Sequence, residues 1–200
     1  MKLFALVTLI LSCSLMVEAQ KIRWESGKDL KFLKNEKFIN TEYDYSNMSV
    51  GKFDKEEDYI QEKVAEQNKK EKGKGDKWLV NWKADRKASF EPKFEELLNK
   101  HVEKLDKLFL KKENTNITVV LETTKFEPGF NIGVMKKPAY CDFIIKFIDN
   151  KTKAVLASGF LKNVPGSQFG GNDYDVTSRV AESYAKAGKV LGKYITDQLE

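Results

Sequence analysis

The clearest alternation of hydrophobic and polar positions lies near the end of the chain and predicts a long amphipathic helix from about residue 176 to residue 198. Apolar side chains recur there every three or four residues, while charged side chains take the opposite side. Each glycine in this stretch lowers helix propensity by about 1 kcal/mol relative to alanine, and close packing would explain its presence. A strip of small residues therefore predicts a close approach by another backbone; it comprises Ala181, Ala185, Gly188 and Gly192.

Patterns of period two predict four strands, at 38–45, 117–126, 140–149 and 154–164. In the third strand, Cys141 shares a face with three apolar residues, because successive side chains of a strand point to opposite sides. We therefore expect Cys141 to be a buried, unreactive thiol.

Helical spacing fills the stretch between the first two strands. Residues 55–70 form one predicted helix, and a second carries Trp78 and Trp82, which lie on one face. We interpret both tryptophans as packing residues rather than as ligand-stacking ones. The helical pattern restarts at Pro92. The one histidine of the chain, His101, lies on or beside the apolar stripe that follows, which favours a packed histidine over a catalytic one.

The order of elements, β-α-α-β-β-β-α, predicts an α+β fold: a single mixed sheet of about four strands packed against helices, with the long amphipathic helix closing the chain. A long helical crossover joins the first two strands and favours a parallel pair, whereas short connections favour an antiparallel meander for the last three. We place this single domain at residues 37–200. We expect residues 20–36, which are polar and mixed in pattern, to be poorly ordered.

In this arrangement three loops emerge at one edge of the sheet, at 46–53, 127–138 and 164–175. Each contains glycine together with aromatic, amide or methionine side chains. Two interpretations remain open: connectors whose glycines adopt positive φ, or a rim that forms one wall of a surface for a ligand or partner. The residues predicted to line this rim are Met48, Phe130, Asn131, Met135, Phe169, Asn172 and Tyr174.

The third of these loops runs through glycines into a helix, an arrangement used for phosphate binding. Its glycines, Gly166, Gly170 and Gly171, fit neither the dinucleotide-binding nor the Walker A spacing. Asp173 and Asp175 would oppose an anion at the start of the helix. We therefore expect no phosphate site.

Catalytic chemistry has weak support in the sequence. Glu127, Asp173 and Asp175 could converge on the rim as the paired carboxylates of a hydrolase. No histidine accompanies them, and no serine lies in a nucleophile-elbow motif. One histidine, with one cysteine beyond residue 19, is a poor set of metal ligands. We predict no catalytic residues, no metal site and no cofactor.

The first 19 residues have the layout of a secretory signal peptide. Lys2 precedes an apolar run at 3–17, and cleavage is predicted between Ala19 and Gln20. One alternative is an uncleaved membrane anchor, although the run is shorter than the roughly 20 residues of a span; the other is lipid attachment at Cys13. Cleavage would leave about 180 residues, which suits one domain. We expect export to the periplasm or the medium, with outer-membrane association as a further option, and no membrane span in the mature chain.

The charge pattern narrows the class of partner. The net charge is +5 at pH 7, and cleavage would leave it unchanged because one base and one acid are removed. Acidic residues accompany nearly every basic run, whereas a nucleic-acid-binding protein more often shows a one-sided basic patch. The expected partner is an envelope protein or a glycan, and not nucleic acid.

Three segments of the chain carry a family resemblance: FLKNEKFINTEYDYSNMSVGK, GDKWLVNWKADRKASFEPKFEELLNK and TTKFEPGFNIGVMKKPAYCDF. Together they resemble uncharacterised exported proteins of gut Bacteroidetes, over nearly the whole chain after residue 19. The element order is also similar to the small α/β domains of bacterial envelope lipoproteins of the penicillin-binding-protein activator type. The first resemblance implies a bacterial, exported protein, and the second implies the fold alone.

These observations lead to three functional hypotheses. The favoured one is an exported, non-enzymatic binding or accessory module of the cell envelope, or a secreted one, that uses the rim. The second is a hydrolase or glycan-processing enzyme with loop carboxylates. The third is a structural subunit of a surface assembly.

Overall fold

The computed structural model describes residues 20–131, 135–166 and 176–200. The predicted signal peptide, with Ala19 at its end, lies outside these residues, and Gln20 is the first residue described. The described strands are β1 (Arg23–Ser26), β2 (Phe38–Asp44), β3 (Ser49–Val50), β4 (Leu108–Leu110), β5 (Ile117–Glu127), β6 (Phe130–Asn131), β7 (Lys136–Lys137), β8 (Tyr140–Asp149) and β9 (Val155–Pro165). The helices are α1 (Glu56–Lys70), α2 (Lys74–Asp85), α3 (Glu91–Val102) and α4 (Val176–Leu199).

Seven of the described strands form one mixed sheet, in the order β1-β9-β8-β5-β2-β4, with β3 also paired to β5. Strand β2 runs parallel to β5, and β5, β8 and β9 form an antiparallel meander, so both predicted connections are confirmed. The α+β class and the closing helix are confirmed as well. The predicted number of about four strands is wrong, because β1, β3 and β4 have only four, two and three residues. Strands this short carry too little alternation to be recognised.

The segment at 20–36, which we predicted to be poorly ordered, is built into the fold. Strand β1 pairs with β9 at one edge of the sheet, with Arg23 opposite Phe160. Just before it, the Gln20 side chain donates a hydrogen bond to the Asn163 carbonyl at 3.4 Å. Leu30 and Leu33 follow and are fully buried. Ile22, Trp24 and Phe32 also pack against the core, so apolar residues fix this mostly polar stretch in place.

Lys107 binds the end of the same segment. It directly precedes β4, which lies at the opposite edge of the sheet from β1. Its buried ammonium group donates hydrogen bonds to the carbonyl oxygens of Leu33, Lys34 and Glu36 at 2.6, 3.0 and 2.8 Å. Three backbone acceptors satisfy the three donors of a lysine. This contact joins the entry segment to the start of β4.

The core lies between the sheet and α3 with α4. Cys141, Phe143, Ile145 and Phe147 all point into it and are fully buried. The prediction of a buried cysteine is therefore confirmed, and burial raises the pKa of the Cys141 thiol. No helix of the described part of the chain is long and apolar enough to cross a membrane.

Helices α3 and α4 meet along the strip of small residues. A β-carbon added at Gly188 would lie 2.2 Å from the Phe94 carbonyl oxygen, and one added at Gly192 would lie 2.8 Å from the Leu98 carbonyl oxygen. No real side chain fits at such distances. The predicted close approach of another backbone is therefore confirmed, and the backbone is that of α3.

Candidate functional site

The three predicted rim loops leave the same end of the sheet, where β2, β5 and β9 each finish. Strands β2 and β5 are parallel, and β9 runs in the direction of β5 because β8 is antiparallel to both. The described ends of the loops also contact neighbouring strands. The Gly51 N–H donates to the Phe126 carbonyl at 2.9 Å, and the Gly166 N–H donates to the Ala139 carbonyl at 2.8 Å.

The structure separates the predicted rim residues into three groups. Phe130 and Met135 are exposed, with 40% and 57% of their surface accessible, and Asn131 lies in β6 opposite Lys136. Met48 is only 2% exposed, so its inclusion in the rim was wrong: the side chain turns into the core. The remaining predicted residues lie outside the described part of the chain; they are Phe169, Asn172 and Tyr174.

The Glu127 carboxylate is hydrogen-bonded to groups of the second loop and stabilises its conformation. Its carboxylate accepts hydrogen bonds from the Gly129 N–H at 3.1 Å and from the Lys137 ammonium group at 2.6 Å. Gly129 has a φ of +59°, a conformation that favours glycine. The buried Arg179 of α4 donates to the Pro128 carbonyl at 3.1 Å. These contacts tie the β6–β7 hairpin to the start of α4.

A cavity of about 380 Å³ opens where α1, α2 and the start of α4 meet. We call it the aromatic cleft. The described residues that line it are Tyr59, Trp78, Asn81, Trp82, Asp85, Phe90, Val176 and Thr177. Phe90 belongs to a π-helical segment, Arg86–Phe90, that joins α2 to α3. Interruptions of this kind are frequent at functional sites.

The rings of the cleft brace one another. Trp78 and Trp82 stack with their centroids 5.3 Å apart and their planes 23° from parallel. Tyr59 packs against both, at 5.9 and 5.2 Å. Trp82 rests in turn on Phe126 of β5, 4.9 Å away. The cluster thus connects the helical pair α1–α2 to the end of the sheet from which the rim loops leave.

A buried carboxylate fixes the position of Trp82. Glu56 is 5% exposed and accepts hydrogen bonds from the Trp82 indole N–H at 2.5 Å, from Lys83 at 2.9 Å and from Arg86. Burial alone would raise the pKa of Glu56, but the hydrogen bonds from Arg86, Lys83 and Trp82 outweigh it, and the pKa is lowered. Glu56 is therefore a charged anchor behind the wall of the cleft.

Several polar groups of the cleft have no hydrogen-bond partner within the part of the chain that the structure describes. No hydrogen bond joins the Asn81 amide, the Tyr59 hydroxyl or the Trp78 indole N–H to another described residue. Asp85 accepts a hydrogen bond from the Thr177 hydroxyl at 2.5 Å through one of its two carboxylate oxygens. Burial, with the nearby Glu127 charge, raises the pKa of Tyr59 to about 12, so its hydroxyl keeps its proton at neutral pH.

Sequence reasoning found only part of this site. The packing role predicted for the tryptophans is confirmed for Trp82, which is 7% exposed. Trp78 is only partly buried and lines the cleft, as does Tyr59 from the preceding helix. Asp85 and Asn81 gave no sequence signal of their own. The spacing of Trp78, Asn81, Trp82 and Asp85 along one helical face was the pattern that could have indicated them.

Two other cavities have less suitable linings. The larger, about 480 Å³, lies at the opposite edge of the sheet, and charged side chains make up most of its walls. Among them, Lys37 and Asp106 pair with each other at 3.0 Å. The second, about 380 Å³, lies between α3 and α4, where alanine, serine and proline form much of its surface. Among their described lining residues, the first cavity has one aromatic ring, that of Phe38, and the second has none.

We also searched the described residues for side chains that could bind a metal ion together. No group of three or more histidine, cysteine, aspartate or glutamate side chains could hold an ion there. His101, the sole histidine, is partly buried beside α4. Burial, together with the nearby ammonium groups of Lys193, Lys189 and Lys100, lowers its pKa.

Comparisons with known proteins return a structural likeness alone. No protein-family model matches the chain, and no curated protein matches it. The PelC dodecamer from Paraburkholderia phytofirmans is similar at a TM-score of 0.39 and 12% identity, over 86% of this chain and 96% of that one. A point variant of the same dodecamer gives the same values. Similarity at this level assigns neither a family nor a function.

Proposed function

We propose that this protein is an exported, non-enzymatic binding module of the cell envelope or the secreted medium, and that the aromatic cleft is its ligand site. The observation that carries the proposal is a cavity that pairs ring surface with polar groups that have no hydrogen-bond partner among the described residues. Small-molecule sites likewise combine aromatic and other apolar surface with a few placed polar groups. The cavity of about 380 Å³ falls within the size range of such sites.

Preorganisation supports binding as the role of the cleft. The Trp82 ring is held by Glu56 on one side and by Phe126 on another. A rigid wall loses little conformational entropy when a ligand arrives. The rings are thus already ordered in the folded protein, and binding need not order them.

Export is supported by the first 19 residues, which have the charged start, apolar run and small-residue end of a signal peptide. The resemblance of three segments to exported proteins of gut Bacteroidetes points the same way. Fractionation of the source cells tests this part of the proposal. We expect the protein in the periplasm, the outer membrane or the medium, starting at Gln20, and its recovery in the cytoplasm at full length would contradict export.

Binding is tested with envelope extract from the source cells and purified protein spanning residues 20–200. We expect the wild type to retain a ligand, detected by separate analysis of bound protein and bound sugar. Trp78→Ala should lose it because the Trp78 ring surface that lines the cleft is gone. Val80→Ala is the matched control, since Val80 lies in the same helix and is 67% exposed outside the cleft. Equal retention by all three proteins, or no retention by the wild type, would contradict the proposal.

The hydrolase alternative loses support at Glu127, whose carboxylate is occupied by Gly129 and Lys137. Asp173 and Asp175, its predicted partners, lie outside the described residues. An activity screen on cell-wall and glycan substrates with Glu127→Gln as the paired variant decides the matter. Turnover by the wild type that is lost in this variant would replace binding with catalysis.

A further inference from the structure

Ring surface is the first indication of what the cleft binds. One face of Trp78 stacks on Trp82, so its opposite face is directed away from that ring, and Tyr59 meets both tryptophans at a steep angle. The face of an aromatic ring is electron-rich and attracts positively polarised hydrogen atoms. The C–H groups on one side of a pyranose sugar present such hydrogens over a flat area. The cleft therefore suits a ligand with a weakly polar, planar face.

The unpaired polar groups give the second indication. The Tyr59 hydroxyl and the Trp78 indole N–H are donors, the Asn81 amide is both donor and acceptor, and Asp85 keeps an acceptor oxygen. A ligand must offer both acceptors and donors to satisfy this set. Hydroxyl groups do both at once, and a sugar carries several around its ring.

Charge narrows the ligand class further. Among the described residues that line the cleft, Asp85 is the one carboxylate, and it disfavours an anionic ligand. A quaternary ammonium ion would suit the rings and the carboxylate. Such an ion makes no hydrogen bonds, however, and would leave the donors of Tyr59, Trp78 and Asn81 unpaired, which costs affinity. A neutral polyhydroxylated ligand fits the whole set.

We infer that the aromatic cleft is a carbohydrate subsite that binds a neutral pyranose through the Trp78 and Tyr59 rings and through hydrogen bonds to Asn81 and Asp85. This inference rests on the proposed function, because it names the ligand class of the same cleft. It does not follow from that function, since the cleft could serve a different ligand.

The inference is tested by titration of the domain with D-glucose, D-galactose, D-mannose and N-acetyl-D-glucosamine, and with cellohexaose and chitohexaose. Intrinsic fluorescence is the readout, in a Trp24→Phe background that leaves Trp78 and Trp82 as the two tryptophans of the chain. Trp24 packs near Phe147 and Tyr194, away from the cleft. We expect a saturable change with at least one probe, and tighter binding of a hexamer than of its monomer.

Variants locate the binding. Asn81→Ala and Asp85→Asn should each weaken affinity at least about tenfold, the effect of a lost hydrogen bond to a ligand. Asn81 is exposed and its side chain has no hydrogen bond to another described residue, so we expect its replacement to leave the fold intact, which the unfolding midpoint checks. Val80→Ala should bind as the wild type does. Sugar binding that both cleft variants retain would overturn the inference.

The remaining outcomes separate this inference from the proposed function. Absence of a response to every sugar up to about 50 mM, a concentration that detects even very weak sites, overturns the carbohydrate assignment. Choline chloride is titrated in parallel, and a response to choline without one to sugars assigns the cleft to a cation instead. In either case, retention of an envelope ligand that Trp78→Ala abolishes would still support a binding module.

Discussion

The side-chain amide of Asn99 pairs with both backbone groups of Phe109. Its Oδ1 atom accepts from the Phe109 N–H at 2.8 Å, and its Nδ2 atom donates to the Phe109 carbonyl at 2.7 Å. Phe109 lies in β4, at the edge of the sheet beside β2. The amide therefore occupies the positions that a further strand would take. Exposed edges invite pairing with another chain, and this contact closes one of them.

We predict that Asn99→Ala lowers the free energy of unfolding by about 1–3 kcal/mol, because two backbone groups lose their partner. The freed edge should also promote association of chains through β4. Urea denaturation measures the first effect and light scattering the second. Lys100→Ala, an exposed change in the same helix, is the control. A stable, monomeric Asn99→Ala variant would show that the edge needs no protection.

At Gly188, helix propensity and the contact between α4 and α3 predict opposite changes in the free energy of unfolding. Gly188→Ala would gain about 1 kcal/mol in an open helix. At this position the added carbon meets the Phe94 carbonyl oxygen at 2.2 Å, so we expect a net loss of about 1–3 kcal/mol. Thermal and urea unfolding measure it, with the exposed Lys189→Ala as the comparison. An increase in stability would mean that the helices can separate without cost.

The lowered pKa of Glu56 predicts that the free energy of unfolding decreases at acidic pH. Its pKa is lowered in the folded protein from the ordinary 4.5, so its contribution is complete above 4.5 and is lost as the pH falls through the folded value. Glu56→Gln should reduce stability at pH 7 by about 2–3 kcal/mol, since charged donors lose their acceptor. The difference between wild type and variant should shrink below pH 4.5. A difference that stays constant from pH 7 to pH 3 would contradict this account.

His101 predicts a second pH effect at a higher pH. Its pKa is lowered from 6.5 in the folded state, by burial and by lysines on α3 and α4. The unfolded chain then binds the proton more readily, so this contribution is complete above pH 6.5 and declines as the pH falls towards the folded value. Unfolding free energies of wild type and His101→Gln between pH 7.5 and pH 5 test this. The wild type should show the steeper decline, and parallel curves would contradict the assignment.

Long elements were predictable because their patterns are carried by many residues. Strand β8 alternates fully over its length, and α4 repeats its apolar face over more than five turns, so both were recognised. Strands β1, β3 and β4 exist because longer neighbours offer them backbone partners. Their own sequences contain too few positions to indicate this. Tertiary context, rather than local preference, decides such short strands.

The cleft was hidden for a related reason. Its residues come from separate elements, with Tyr59 on α1, Trp78 and Asp85 on α2, and Thr177 on α4. Helical periodicity places each on a face but does not say which faces meet. Met48 illustrates the opposite error, because a loop position favoured exposure and the side chain is buried in the core. Distances between elements that are far apart in sequence are set by packing, which no single pattern reports.

Helix α4 also sets a direction in which the domain can be presented. Val176 and Thr177 line the cleft at the first turn of α4, whereas the Thr196 hydroxyl, near the other end of the helix, donates a hydrogen bond to the His101 carbonyl. The residues after α4 are therefore separated from the cleft by the length of a 24-residue helix. A bead or fusion partner attached there would leave the entrance clear.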